Sequence, residues 1–317
     1  MRRIIQFLKD WTLPSAIVTG TVLYLVFASF PALDGAARFF NPIFDTIFPF
    51  FMGMILFTTF CHVDFHKMRP TAWHWIITVF QVAITVALAA VIIVSGITGN
   101  QLVIAESLLT CVIAPGAAAA AVVTAKLGGN LESMTTYTFV SNFITALLVP
   151  TVFPLIDNTL HISFVEAFLA ILYKVCLVLV VPMAAAYIVK HYMHRLHQRI
   201  ISIEDLSFYM WGISLSIVTG STVKYIAHAG TTVSFVLVIA IISLVICLVQ
   251  FAIGRYVGHF FGATIESGQG LGQKNTAFAV WIAYTYLTPL CAVGPGCYIL
   301  WQNAINSLEI WHHRKHR

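Results

Sequence analysis

The chain is 317 residues long, 59% hydrophobic and only 9% charged, with a formal net charge of +5. No soluble fold can hide so much apolar surface from water, so the composition excludes a soluble enzyme or binding module and specifies an integral membrane protein. A bundle of about ten helices at ~20 residues each uses nearly the whole length.

The apolar runs predict, in chain order, helices over 11–30, 44–61, 72–95, 101–127 (broken), 131–155, 164–189, 206–227, 230–252, 256–286 (broken) and 289–311. Pro31, Asp34, Gly35, Pro70, Gly96, Gly99, Gly128, Gly129, Asn130, Asp157, Asn158, Gly230 and Pro289 punctuate them. The runs are long, continuous and free of the period-two alternation that marks barrel strands, so the expected fold is all-α with ten transmembrane helices. The first run follows Arg2 and Arg3 as in a signal peptide, but it is too long and lacks a small-residue cleavage site, so it reads as a retained helix.

Charge supports this count. With a cytoplasmic N-terminus, the inner segments hold Arg2, Arg3, Lys9, Lys67, Arg69, Lys126, Lys190, Arg195, Arg199, Arg255, Arg314, Lys315 and Arg317, thirteen of the seventeen Lys and Arg. The outer loops keep Arg38 and Lys224. This asymmetry predicts that both termini are cytoplasmic, with the bacterial cytoplasmic (inner) membrane as the location. The net charge is a topology signal with membrane lipid as a partner, and no nucleic-acid module is visible.

Cys61, Cys111, Cys176, Cys247, Cys291 and Cys297 lie in or beside apolar runs without CxxC spacing and read as core filler. His62, His66, His191, His194 and His197 are interleaved with Lys190, Arg195 and Arg199, and no cysteine or carboxylate completes a ligand set. They read as a basic collar at the interface, with no metal or other cofactor expected.

Four charges fall at bilayer depth: Glu106, Lys174, Glu266 and Lys274. Each costs about 2.5–3.5 kcal/mol at a helix centre, so each should pair, face the protein interior or line a pathway. A buried ion pair between Lys174 and Glu106 is the structural expectation for the first two. Two interruptions of the apolar pattern stand half a chain apart, at Ala114, Pro115 and Gly116 and at the polar stretch from Gly268 to Asn275. Irregular backbone at this depth survives only where protein buries it or a cavity reaches it, and a matched pair in two halves points to a transporter's substrate site. No Ser-His-Asp, His-Glu-x-x-His or paired-aspartate pattern supports an intramembrane enzyme.

Pro115-Gly116 with the following small residues, Thr124, Gly129, Asn130, Thr138 and Ser141 resemble the first crossover motif of the bile acid:sodium symporter family. The stretch from Gln273 to Ala279, and that from Trp301 to Ser307, resemble its second motif and last helix. The resemblance implies two inverted five-helix repeats, 1–160 and 161–317, within a single transmembrane domain, 1–317. It also implies a panel of helices one, two, six and seven, a core of helices three to five and eight to ten, and two broken helices crossing in the core. It further implies alternating-access transport of an organic anion, held near Ala117, Ala118, Gln273, Lys274, Asn275 and Thr276, where half-helix N-termini attract negative charge.

The chain departs from the family at its sodium ligands. The family's first break carries serine and asparagine where this chain has alanines from Ala117 to Ala121, and a helix-five serine becomes Met134 while its threonine partner remains as Thr138. At the second break the shared glutamate becomes Gly270, unless an insertion returns Glu266 to the place, and a glutamine becomes Lys274. Gln81 matches the third-helix glutamine. The ion-coupling candidates are therefore Gln81, Thr138, Glu266 and Lys274, with Lys274 standing in for a cation. A rebuilt sodium site using Gln81, Glu266 and Gln273, a misaligned second break, and a transporter-fold ligand sensor are the alternatives.

Overall fold

A computed structural model describes residues 11–33, 35, 50–51, 53–156, 163–203, 205–228 and 230–315. Arg2, Arg3, Lys9, Asp34, Arg38, Asp157, Asn158, Arg317 and the start of the second expected helix lie outside them. In chain order the helices are α1 (Thr12–Ser29), α2 (Gly53–His62), α3 (Ala72–Ser95), α4 (Gly99–Ile113), α5 (Ala118–Lys126), α6 (Leu131–Ile156) and α7 (Phe164–Val175). There follow α8 (Val181–Tyr192), α9 (His194–Ile201), α10 (Leu206–Ala227), α11 (Val233–His259), α12 (Thr264–Gly272), α13 (Thr276–Tyr286) and α14 (Val293–Lys315). A π-helical turn, Cys176–Val180, joins α7 to α8.

Six stretches among the described residues are long and apolar enough to cross a bilayer: α1, α3, α6, the run Phe164–Tyr192, α10 and α11. Their outward faces carry Val18, Val79, Val94, Ile241 and Leu248, all exposed, which is the surface of a multi-pass membrane protein. The expected boundary between the eighth and ninth helices, at 252–256, is corrected to 260–263. The helix runs on through Arg255 to His259 because Gly254 and Gly258 let it lie against α12, where a Cβ on either would overlap Ser267 or Ala263 backbone.

The chain forms two compact units. The first comprises Met1–Val63, Leu177–His228 and Asn303–Arg317. Within it α1 and α10 approach closely at small residues, since a Cβ on Gly220 would lie 3.2 Å from the Gly20 carbonyl oxygen. The Thr58 and Ser207 hydroxyls, 2.8 Å apart, tie α2 to α10. At the end of α2, Lys190 Nζ donates to Val63 O at 2.9 Å and His197 Nε2 donates to Cys61 O at 2.9 Å. These two members of the basic collar therefore close the helix's orphan carbonyls.

The second unit comprises Asp64–Cys176 and Ala229–Gln302 and holds both interruptions. One apolar cluster packs Leu109, Ile113, Ala146, Phe153, Ile171 and Ile282, and another packs Trp73, Ile77, Ala120, Met134, Tyr137 and Leu271. His74 is buried between α3 and α6. Its Nδ1 accepts from Thr71 N–H at 2.9 Å, so its Nε2 donates to Ser133 O at 3.1 Å. The run Phe164–Tyr192 divides between the units at the π-turn.

Candidate functional site

Both interruptions arise where the backbone cannot continue as helix. Pro115 disfavours a helical Ala114, which turns extended at ψ 137° and ends α4. Gln273 is likewise extended, at φ −93° and ψ 100°, and ends α12. Asn275 then starts α13, its Oδ1 accepting from Phe278 N–H at 3.1 Å.

The two extended pieces pair with each other. Gly116 lies opposite Lys274 in an antiparallel bridge. Ala117 N–H donates to Gln273 O at 2.9 Å, and Asn275 N–H donates to Pro115 O at 2.8 Å. Two hydrogen bonds thus flank Gly116 and Lys274 as a non-hydrogen-bonded pair of an antiparallel ladder. The arms meet in ordinary van der Waals contact: the Gly270 carbonyl and the Tyr137 ring each lie 3.5 Å from where a Cβ on Gly116 would stand.

Side chains satisfy the backbone groups that remain, as burial demands. Gln81 Nε2 donates to Ile113 O and Ala114 O at 3.2 and 3.1 Å, and Thr145 Oγ1 donates to Ile113 O at 2.9 Å. Gly116 N–H donates to Ser141 Oγ at 2.8 Å. On the other arm, Tyr298 OH donates to Gly272 O at 2.7 Å and accepts from Gln250 Nε2 at 3.0 Å. Lys274 N–H donates to Gln302 Oε1 at 2.8 Å, and Gln302 Nε2 donates back to Lys274 O at 3.2 Å.

Polar groups at the crossing are left over among the described residues. Lys274 is only 1% exposed, and its Nζ has no hydrogen-bond or ion-pair partner among the described residues. Gln273 Oε1 is also buried without a partner. The N-terminus of α5 has Ala117 at its cap position and no side-chain cap, so only backbone serves that end.

The structure therefore brings Ala117, Ala118, Gln273, Lys274, Asn275, Thr276 and Gln81 to one crossing. Thr138 lies on α6 one turn before Ser141, its hydroxyl donated to Met134 O at 3.0 Å in its own helix. Glu266 stands apart from the break, in the first turn of α12, where its Oε1 accepts a short hydrogen bond from Asn130 N–H at the start of α6. Gly270 rather than Glu266 faces the crossing, beside Tyr137 and Gly116. Gln250, Tyr298 and Tyr137 support the site without having been singled out. A lone glutamine in the apolar α11 was the one available signal.

Lys174 and Glu106 do not pair with each other. The Lys174 ammonium sits over the Trp281 ring, 3.2 Å from its centroid, while Glu106 Oε2 accepts from Thr288 N–H at 3.3 Å. The expected structural pair is thus replaced by a cation–π contact between α7 and α13.

Residues 49–253, more than half of the chain, match the family model described as the Sodium Bile acid symporter family. No curated protein matches the chain. The match rests on the same helices that carry the first interruption and its supporting residues, and it identifies a transporter rather than an enzyme.

Proposed function

Because the chain belongs to the sodium bile acid symporter family, we propose that it is a secondary transporter of a small or amphipathic organic anion in which the Lys274 ammonium stands where relatives hold sodium. The observation that carries this is the partnerless, fully buried Lys274 Nζ at the point where the two interruptions pair. A charge buried at such cost is kept for a role that apolar residues cannot fill.

The donor set does not fit a sodium ion. A hard cation wants about five or six oxygens, whereas Ala117 to Ala121 and Met134 supply no side-chain oxygen. Gln81 and Glu266, which a rebuilt site would use, already serve backbone groups of α4 and α6. A resident ammonium would also repel a second cation. Coupling is then to protons or absent. In this reading 1–160 and 161–317 are inverted repeats, both termini are cytoplasmic, and alternating access is carried by the unit that holds both interruptions.

The test is uptake by the purified protein in proteoliposomes of labelled bile acids, keto acids, pantothenate-like acids and sulfated steroids, with sodium replaced by potassium at constant ionic strength. Saturable uptake that is indifferent to sodium is expected. Saturable stimulation by sodium would refute the replacement of the ion, and ligand binding without counterflow would favour a sensor.

A further inference from the structure

Lys174 lies well inside the 29-residue run Phe164–Tyr192, which at ~1.5 Å per residue more than spans the ~30 Å hydrocarbon layer. Its ammonium contacts the Trp281 ring on one side, and among the described residues no acceptor or carboxylate meets it on the other. The residue is nevertheless only partly buried, so its donors are open. An unpaired cation at this depth is held against lipid at a cost of several kcal/mol unless water or an anion reaches it.

Other aromatic rings stand beside Trp281, packed on or within an apolar core cluster. Trp281 continues into Phe278, 5.5 Å away between ring centroids, and into Tyr286, 5.9 Å away. All three lie on α13, the half-helix that leaves the second interruption. Immediately after Lys174 the backbone enters the π-turn Cys176–Val180, a geometry that often marks functional positions.

We propose that Lys174 and Trp281 form an anion subsite at bilayer depth. The ammonium receives the carboxylate, sulfate or sulfonate head of an amphipathic organic anion, and the partly exposed rings of Phe278 and Trp281 take the apolar body. The subsite rests on the transporter reading and deepens it, because it separates the residue that recognises the anion from Lys274, whose ammonium is enclosed. A cation already polarised by a ring on one face and bare on the other favours one charged oxygen, with the neighbouring rings rewarding a flat or fused-ring body.

The experiment uses the full chain, with cholate as the anionic probe and its neutral amide as the control, and reads both thermal midpoint and proteoliposome uptake. Cholate should stabilise the wild type. Its affinity should fall about tenfold or more in Lys174→Gln, as expected for losing a charge-assisted hydrogen bond, and return towards wild type in Lys174→Arg. The neutral amide should bind wild type and Lys174→Gln alike, and Trp281→Leu should weaken both ligands. Midpoints without ligand report whether each variant folds, and Lys174→Met, which also removes the charge, carries the test if Lys174→Gln does not fold. Wild-type cholate affinity in folded Lys174→Gln, with uptake retained, overturns the subsite while leaving the transporter reading intact. Absence of any cholate effect on the wild type overturns the subsite, and the transporter reading falls only if none of the other organic anions is taken up either.

Discussion

The Gln302 carboxamide holds the Lys274 peptide from both sides, accepting from its N–H at 2.8 Å and donating to its carbonyl at 3.2 Å. One side chain thereby replaces two strand-ladder partners for a residue whose own side chain is enclosed. Gln302→Leu should leave both peptide groups unsatisfied and cost about 1–3 kcal/mol for each. Thermal unfolding should show the loss, and amide exchange should rise at residues 273–276. Unchanged protection there would mean that the clamp is dispensable.

Lys274→Met is expected to separate stability from transport. It removes a buried charge that has no partner, so the unfolding midpoint should rise. Uptake should fall roughly tenfold or more, the scale of one lost charge interaction, and sodium should not rescue it. Lys274→Gln and Lys274→Ala should also lose uptake with the fold intact. Near-normal uptake in all three would remove Lys274 from the mechanism.

Glu266 is the residue whose role the geometry alters most. As the acceptor for Asn130 N–H it completes the start of α6, where negative charge is also favoured. Glu266→Gln keeps an acceptor oxygen and should cost only about 1 kcal/mol, with uptake retained. A stable Glu266→Gln protein without uptake would restore it to ion coupling.

Two alanines on different faces of α5 should respond differently to enlargement. Ala120 belongs to the cluster of Trp73, Ile77, Met134 and Tyr137, so Ala120→Leu should overpack it and destabilise by about 1–3 kcal/mol. Ala118 begins the helix next to the crossing, and Ala118→Leu should obstruct transport with a smaller loss of stability. Equal destabilisation by both, with uptake scaling to the folded fraction, would mean that both alanines only pack.

Close helix contacts give the sharpest stability test. Gly254→Ala should push α11 from α12, since the added carbon meets backbone at Ser267 rather than a movable side chain. The midpoint should fall for this variant and not for Gly96→Ala by contact, because nothing lies within 4 Å of that Cβ; any loss at Gly96 comes from its φ of +57°.

The spans were legible because apolar runs of this length have few alternatives, and 72–95 and 206–227 coincide with α3 and α10. The end of α11 was not, because its last turns carry Arg255 and Tyr256 and owe their helix to Gly254 and Gly258 against α12. Pro115 and the run of glycines revealed both interruptions. Their pairing was invisible, because a bridge of one residue pair leaves no periodic trace in either segment. The partner of Lys174 was equally hidden: a carboxylate was the chemically obvious choice, and the ring of Trp281 took its place.

The bridge also dictates an order of manufacture. Pro115 and Ala117 enter the membrane early in synthesis, yet the groups that satisfy them, on Asn275 and Gln273, are made half a chain later. Until then their peptide groups must be sheltered by water or by the insertion machinery. The nascent first half thus waits, incompletely satisfied, until residues 273–275 arrive and the two arms can close on each other.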